Sequence, residues 1–322
     1  MNDKRELVSV IIPTWKRKEM VVRCIDSVLK NTYRNLEVIV CEDPSDNCAE
    51  EAIRKRYSRL KNFTYMKNKT MGLVAATVNR MLRASKGKLI FLLNDDNVID
   101  RRCIEELVST MGKFPDVGIV GPLAFYYSKP NIIMHAGTIR SGFVRGYTSP
   151  FANKVWKNQL KEGDEVEDFG NAFMFRREAV YKAGMWDLLV PAQGEDGDFE
   201  ARVRRAGYRV VINPKAKSYH DVPYVPAKNT MSLFFDRIDK VRIYHGMHSK
   251  ILYEFRYEKP IQKITFLISF PLYFGYHTYA VIKARNRTFG ERVYLFYRLL
   301  SGIVNGFKDA LLNRSRIEYL KK

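Results

Sequence analysis

The chain alternates short runs of β-favouring apolar residues with stretches whose apolar residues recur at helical spacing. The apolar runs cover residues 7–12, 36–41, 63–66, 88–93 and 117–120. Helical spacing is found in residues 18–31, 73–84 and 101–112. This alternation predicts βαβ units and an α/β fold with a mostly parallel central sheet flanked by helices.

Polar residues follow three of these predicted strands. They are Pro13 and Thr14 after the first, Glu42, Asp43 and Ser45 after the second, and Asn94, Asp95 and Asp96 after the fourth. In open α/β sheets, ligands bind beyond the carboxyl ends of the strands. The sequence therefore predicts a binding site at this edge of the sheet.

Asp95 and Asp96 are adjacent carboxylates at the end of a wholly apolar strand. Their mutual repulsion would be relieved by a cation, and hard divalent ions such as Mg²⁺ or Mn²⁺ prefer oxygen ligands. Such an ion could hold a diphosphate. The alternative is a polar turn that precedes a helix.

A second acidic segment, residues 194–198, places three acids between and beside glycines, ahead of a predicted helix at 200–206. A carboxylate in the first turn of a helix is stabilised by the helix dipole, which suits a general base. The alternative is an acidic helix start without chemistry. His220 follows the predicted strand 208–212, and a lone histidine is more often a core or surface residue than a metal ligand.

Composition and motifs exclude several classes of protein. The 322 residues are 46% hydrophobic and 28% charged, which excludes a disordered chain, a collagen-like chain and a multi-span transporter. The sequence has no Walker A loop, G-x-G-x-x-G, H-E-x-x-H or G-x-S-x-G. Its four cysteines form no C-x-x-C pair, and the first apolar run is too short for a signal peptide. We therefore expect reduced thiols and a cytoplasmic location.

Positive charge is concentrated towards the end of the chain. The net charge is +20, and residues 221–322 hold 18 Lys and Arg against 8 Asp and Glu. A basic, aromatic-rich segment suggests an anionic surface, either nucleic acid or a phospholipid leaflet. A basic face that only keeps the protein in solution is the simpler alternative.

Residues 264–282 contain no Lys, Arg, Asp or Glu, although basic residues flank them on both sides. The length would allow a transmembrane helix, but Pro271, Gly275 and three tyrosines argue against one. We predict two short interfacial helices that are broken near Pro271 and lie on the bilayer. The alternatives are a membrane-spanning helix and a segment packed in a soluble core or dimer contact. Residues 293–307 continue with amphipathic helical spacing.

Five blocks in order resemble family 2 glycosyltransferases with the GT-A fold. They are SVIIPTWKRKEMVVRCIDSVLKNTYRNLEVIVCEDPSD, MGLVAATVNRML, FLLNDDN, GNAFMFRREAVYKAGMWD, and GEDGDFEARVRRAGYRVVINP with SYHDV after it. The resemblance covers residues 7–225 and is greatest, by eye, to rhamnosyl- and galactofuranosyltransferases. It implies a catalytic domain at 1–225, with a nucleotide-binding half at 1–120 and an acceptor half at 121–225. Residues 226–322 would form a helical, membrane-associating extension.

The resemblance also implies roles for individual residues. Donor contacts would come from Pro13, Thr14, Glu42, Asp43, Ser45, Gly72, Asn79, Asn94 and Asp95. Glu42 stands where the family usually has the aspartate that binds the base. Asp96 and His220 would hold Mn²⁺ or Mg²⁺, and Asp196 would be the catalytic base. Gly170, Asn171 and Glu195 would lie on the acceptor side.

The implied activity is an inverting, metal-assisted transfer of a sugar from a UDP-, dTDP- or GDP-sugar to an acceptor hydroxyl. The expected acceptor is a lipid-linked glycan at the cytoplasmic face of the membrane, in envelope polysaccharide or protein-glycan assembly. A homo-oligomer is possible, and no nucleic-acid partner is expected. Two alternatives from other classes are an inactive GT-A membrane scaffold and a basic nucleic-acid-binding protein. A hydrolase is disfavoured because the acids divide between a metal site and a single base.

Overall fold

The computed structural model describes residues 6–141, 146–224, 226 and 238–321. The strands are β1 Val8–Thr14, β2 Leu36–Glu42, β3 Phe63–Lys67, β4 Leu89–Leu93, β5 Asn97–Ile99, β6 Val117–Tyr126, β7 Lys129–His135, β8 Ile139–Ser141, β9 Gly146–Thr148, β10 Asp164–Glu165, β11 Ala172–Arg176 and β12 Arg209–His220. The helices are α1 Lys18–Leu29, α2 Glu50–Tyr57, α3 Leu73–Ala84, α4 Cys103–Lys113, α5 Arg177–Ala183, α6 Glu195–Arg205, α7 Lys240–Tyr257, α8 Pro260–Lys283 and α9 Phe289–Leu311.

The central sheet has the strand order β10-β12-β6-β11-β4-β1-β2-β3, with β5 paired to β12 and β7 to β6. Strands β3, β2, β1 and β4 run parallel to one another, and β6 is parallel to β12. Strand β11 is antiparallel to both of its neighbours, β4 and β6. The carboxyl ends of β1, β2, β4 and β12 therefore lie along one edge of the sheet.

Alternate residues of the inner strands enter two different cores. Val8, Val10 and Ile12 of β1 belong to one buried cluster, whereas Ile11 belongs to the other. Because successive side chains of a strand point to opposite faces, both faces of the sheet are covered. This burial explains why the central strands are almost uninterrupted apolar runs.

The predicted elements are confirmed in position but several differ in length. The run at 117–120 belongs to a ten-residue strand, β6, whose residues are all buried. Strand β12 does not stop before Asn213, but continues to His220 through a shift in register against β6. The sequence analysis did not identify helix α2, because six of its eight residues are Glu, Arg, Lys or Tyr and only Ile53 and Tyr57 are buried.

Helices α7, α8 and α9 pack around a third apolar cluster, which includes Ile251, Phe266 and Leu299. The predicted break near Pro271 is wrong, because α8 is one helix of 24 residues with Pro271 inside it. Pro271 removes the hydrogen bond to the carbonyl of Leu267. Leu267 is exposed, so water can satisfy that carbonyl.

Each of the last two helices keeps an exposed apolar stripe. The residues of these stripes are Ile261, Ile264, Ile268, Leu272, Tyr279 and Ile282 on α8, and Phe289, Val293, Tyr297, Leu300, Val304 and Leu311 on α9. Their spacing of three, four or seven residues places each set on one side of its helix. In the described part of the chain, no helix combines the length and hydropathy that crossing a bilayer requires.

Candidate active site

The ends of three strands meet around the Asp95–Asp96 pair. Thr14, the last residue of β1, donates its hydroxyl hydrogen to Asp95 Oδ2 at 2.7 Å. His220, the last residue of β12, places Nε2 3.1 Å from Asp96 Oδ1. Both carboxylates are buried. Residues that the sequence analysis selected separately thus form one polar centre at the predicted edge of the sheet.

Arg17 completes this centre, and the sequence analysis did not assign it a role. Its Nη1 lies 2.9 Å from Asp95 Oδ1 and 2.6 Å from Asp96 Oδ2. The side chain is 44% exposed, so it can leave the carboxylates at little desolvation cost. The available sequence signal was its position five residues after the end of the first predicted apolar run, in a turn rich in basic residues.

The two neighbouring carboxylates have pKa values shifted in opposite directions. Burial raises the pKa of Asp95, and Arg17 and Thr14 only partly offset that effect. Burial also acts to raise the pKa of Asp96, but the hydrogen bonds and charges of His220 and Arg17 outweigh it and lower that pKa. Asp96 therefore stays ionised, which suits it to hold a cation.

Asn171 determines the proton position on His220. Its amide nitrogen lies 2.9 Å from His220 Nδ1, and since an amide NH₂ can only donate, Nδ1 accepts. In the neutral form of the ring, the proton then sits on Nε2 and faces Asp96. For Nε2 to bind a metal ion, the proton must move to Nδ1 and the Asn171 amide must turn to present its oxygen.

A carboxylate is a suitable donor for Mn²⁺ or Mg²⁺, and an imidazole suits Mn²⁺ better than the harder Mg²⁺. Within the described residues, no group of three or more His, Cys, Asp or Glu side chains is placed to surround a metal ion. An ion held by Asp96 and His220 would therefore take its other ligands from substrate phosphates and water, which is common for Mg²⁺ sites. The residues present therefore fit a metal site whose ligand set is completed by the substrate.

The residues after β2 form the second part of the site. Asp43 Oδ1 accepts hydrogen bonds from Asn68 Nδ2 at 2.6 Å, from the Gly72 backbone at 3.1 Å and from Thr77 at 3.2 Å. The Ser45 hydroxyl has no hydrogen-bond partner among the described residues. Asp43 therefore fixes the loop before α3, while Ser45 keeps a hydroxyl that a ligand could engage.

Glu42 and Asn79 are engaged by the protein itself. The Glu42 carboxylate is buried and accepts hydrogen bonds from the Ala49 backbone at 2.7 Å and from the Tyr65 hydroxyl. Asn79 exchanges two hydrogen bonds with the backbone of Trp186, at 2.8 and 2.9 Å. Glu42 thus holds the start of α2, and Asn79 holds the segment that carries Trp186.

Helix α6 begins at Glu195 and presents Glu195 and Asp196 from its first turn. Gly194 before it has a φ of +97°, a left-handed conformation that glycine adopts without strain. Burial raises the pKa of Glu195 to about 7. Burial and the Glu195 charge raise the pKa of Asp196 well above its ordinary value, and a hydrogen bond from the Trp186 indole at 3.0 Å only partly offsets this.

One cavity of about 420 Å³ joins the polar centre to helix α6. Asn94 and His220 line it together with Glu195 and Asp196. It is also lined by Met134, His135, Thr138, Asp168, Phe169, Gly170, Asn171, Gln193, Gly194 and Gly197. The predicted metal side, acceptor side and base thus face a common space.

Two residues that the sequence analysis missed support this cavity. Trp186 donates to Asp196 and stacks on Phe199 with ring centroids 4.0 Å apart. Asp168 accepts a hydrogen bond from Thr138, while its Oδ2 has no partner among the described residues. The only sequence signal was their position, since Trp186 lies inside the fourth quoted block and Asp168 lies two residues before that block.

The family model described as glycosyl transferase family 2 matches residues 9–184. Glycosyltransferase GlyA of Streptococcus pneumoniae is 24% identical over 214 residues, which are 65% of this chain and 30% of that protein. The Escherichia coli UDP-Glc:alpha-D-GlcNAc-diphosphoundecaprenol beta-1,3-glucosyltransferase WfgD is 31% identical over 153 residues, 47% of this chain and 56% of WfgD. The matched part thus covers less than two thirds of either relative.

The structure is also similar to that of a solved transferase. The mannosyltransferase PcManGT of Pyrobaculum calidifontis, solved with GDP-Man and Mn²⁺, superposes with a TM-score of 0.54 and 16% identity. The superposition covers 97% of this chain and 89% of that one. This likeness confirms the predicted GT-A fold.

Proposed function

Because the chain belongs to glycosyl transferase family 2, we propose that it is an inverting transferase that moves a sugar from a nucleoside-diphosphate sugar to an acceptor hydroxyl. The observation that carries this proposal is the shared cavity. It is lined by His220, which contacts Asp96, and by Asp196. A donor diphosphate held near Asp96 and an acceptor hydroxyl held near Asp196 could therefore meet at the same anomeric carbon.

Asp196 would act as the base. Its carboxylate takes the proton of the acceptor hydroxyl while that oxygen bonds to the anomeric carbon. The bond from this carbon to the phosphate oxygen breaks, and its electron pair leaves with the nucleoside diphosphate. Because the nucleophile and the leaving group are on opposite faces of the sugar, the anomeric configuration inverts. The raised pKa of Asp196 makes it a stronger proton acceptor than an exposed aspartate.

Arg17, Asp96 and His220 would act on the leaving group. Arg17 has the charge, exposure and reach to turn from the carboxylates onto a diphosphate. A divalent ion held by Asp96 and His220 would supply Lewis-acid stabilisation of the charge that develops there. The Mn²⁺ bound in the mannosyltransferase supports a divalent ion in this chain as well.

We propose that the donor is contacted by Pro13, Thr14, Asp43, Ser45, Gly72, Asn94 and Asp95. Glu42 and Asn79 would act indirectly, by holding α2 and Trp186 in place. We propose a lipid-linked glycan as acceptor, which the diphosphoundecaprenol acceptor in the name of WfgD supports.

We also propose that residues 226–322 attach the enzyme to the cytoplasmic face of an anionic membrane. The exposed stripes of α8 and α9 could enter the headgroup region, and basic residues between and beside them, such as Lys283, Arg285 and Lys308, suit anionic lipid. The separate apolar cluster of α7–α9 supports a division between 1–225 and 226–322.

Two substitutions separate the proposed roles. Asp196→Asn removes the base, and we expect turnover to fall by roughly 100-fold or more while Mn²⁺-dependent binding of the nucleoside diphosphate changes little. Asp96→Ala should weaken both turnover and nucleotide binding. Turnover is measured as nucleoside diphosphate release, and binding by calorimetry with Mn²⁺ or EDTA.

The donor is first identified from thermal shifts with UDP, dTDP, GDP and CMP, since binding to the folded state raises the melting temperature.

Asp116→Asn is the matched control for the Asp196 and Asp96 variants, because Asp116 pairs only with Arg209 among the contacts described and lies outside the cavity. Near-full turnover of Asp196→Asn would show that another group is the base. A chain that binds none of these nucleotides would contradict the proposed activity.

A further inference from the structure

Arg256 of helix α7 is inserted between two buried carboxylates of the catalytic half. Its Nη2 lies 2.9 Å from Asp187 Oδ2, and its Nη1 lies 2.9 Å from Asp198 Oδ1. The Arg256 side chain is only 11% exposed, and both acids are almost fully buried. Tyr257 adds a hydrogen bond from its hydroxyl to Asp198 Oδ1 at 2.7 Å.

Both carboxylates adjoin the groups that hold Asp196. Asp198 lies two residues after Asp196 in the first turn of α6. Asp187 follows Trp186, whose indole donates to Asp196 Oδ1. Arg256 therefore joins the helix that carries the base to the segment that hydrogen-bonds the base.

The end of the chain holds the same segment from a second direction. The Arg316 backbone donates to Asp187 Oδ1 at 2.8 Å, and the Met185 backbone donates to the Glu318 carbonyl at 2.8 Å. Arg256 Nη2 also donates to the Arg314 carbonyl. Residues 184–188 are thus enclosed by α7 on one side and by the terminal residues 314–318 on another.

We propose that the C-terminal helical unit, residues 238–321, positions the catalytic base through Arg256. This inference rests on the proposed function of Asp196. Removing Arg256 would leave the buried Asp187 without its charged partner, whereas Asp198 would keep Arg202 of its own helix, so the ion-pair link between α6 and the Trp186 segment would be lost and that segment would rearrange. A displacement of about 1 Å at the base can lower a rate by roughly 100-fold. Arg256 is a positioning residue, since it does not line the cavity.

The test compares Arg256→Met, Arg256→Lys and Arg205→Met in the full chain. Arg205→Met is the matched control, because Arg205 joins the same two helices through the Arg256 carbonyl and the Tyr257 ring but contacts neither carboxylate. Arg256→Lys keeps the charge but not the fork that reaches both acids. Arg256→Lys also provides the test if Arg256→Met fails to fold.

Two readouts are needed. The first is kcat for donor turnover beside the dissociation constant of the nucleoside diphosphate in Mn²⁺. The second is the ¹⁵N–¹H resonance of the Trp186 indole followed against pH. Because the chain has three tryptophans, Trp186→Phe assigns this resonance. The indole donates to Asp196, so its titration reports the ionisation and contact of the base without any substrate.

We expect Arg256→Met to lower kcat at least tenfold, to leave nucleotide affinity within about twofold, and to displace the Trp186 resonance and its titration. Arg256→Lys should recover part of each change, and Arg205→Met should resemble the wild type. An unchanged indole titration in folded Arg256→Met, or equal losses in Arg205→Met, would overturn the inference. A wild-type chain without turnover would contradict the proposed function instead, while the indole readout would still test the contact.

Discussion

The carboxylates of the site differ in their surroundings and partners. Asp96 has Arg17 and His220 within hydrogen-bond distance, which lowers its pKa despite burial. Burial raises the pKa of Asp196, the charges of Glu195 and Asp168 raise it further, and the hydrogen bond from the neutral Trp186 indole offsets this only in part. Asp96 is thus suited to bind a cation, and Asp196 is suited to accept a proton.

The raised pKa of Asp196 predicts the pH dependence of turnover. The base must be ionised to accept a proton, so kcat/KM should fall as pH decreases, and it should begin to fall above the range of an ordinary aspartate at about 4. Glu195→Gln removes the Coulombic repulsion and should move this acid limb to lower pH. The measurement is kcat/KM against pH at saturating Mn²⁺.

Glu165→Gln provides the control for that profile, because Glu165 is exposed and pairs with Arg209 outside the cavity. Its acid limb should coincide with that of the wild type. If Glu195→Gln left the limb in place, Glu195 would not be the charge that repels the base.

The roles of Asp96 as a metal ligand and of Asp196 as the base stay predictions. Asp196 lines the cavity, and Asp96 contacts His220, which also lines it. Glu42 also lies at its predicted strand end, but its carboxylate points into the protein and binds the start of α2. Side-chain direction depends on packing, which a motif does not contain.

Among the elements, β6 supports the wall of the cavity through close contact at Gly121. A Cβ at this position would overlap the ring of Phe169, which is buried and lines the cavity. Gly121→Ala should therefore destabilise the protein by about 1–3 kcal/mol, since overpacking a dense core forces side chains or backbone to move. Chemical denaturation measures the change.

Gly112→Ala is the matched substitution for this test. Gly112 lies in α4, and a Cβ there would meet no atom within 4 Å. Alanine favours a helix over glycine by about 0.5–1 kcal/mol, so this variant should be as stable as the wild type or more stable. Equal stability of both variants would show that Phe169 moves aside freely.

Element type was predictable from periodicity, whereas element ends depended on contacts. Strand β12 continues past Asn213 because it pairs with β6 as far as Tyr126. Helix α8 continues through Pro271 because the helix packs on the third cluster through Phe266 and Ala280, while the affected carbonyl lies on the exposed side. Local propensity favoured a break at both points, and distant neighbours prevented it.

For the whole molecule, the exposed stripes predict binding to anionic bilayers. Ile268 and Leu272 are 67% and 81% exposed on α8. Replacing both with Gln should lower affinity for phosphatidylglycerol-containing vesicles roughly tenfold or more, because each apolar side chain contributes about 1.5–3 kcal/mol when buried. Co-sedimentation with vesicles at low and high salt measures this effect.

Leu60→Gln is the control, since Leu60 is an exposed leucine far along the chain from α8. It should bind vesicles like the wild type, and phosphatidylcholine vesicles should bind more weakly than anionic ones. If the double variant bound vesicles normally but changed from oligomer to monomer, the stripes would pair with a second copy of the chain instead.

The sequence by itself determined the α/β alternation, the family and the strand ends that carry the polar residues. These features follow from local periodicity and from motifs whose members are near one another in the chain. Only the tertiary structure decided how Arg17 neutralises the Asp95–Asp96 pair, how Trp186 holds Asp196, and how Arg256 reaches Asp198 across 58 residues. Such contacts join side chains from distant segments, and packing of the whole molecule determines which of them meet.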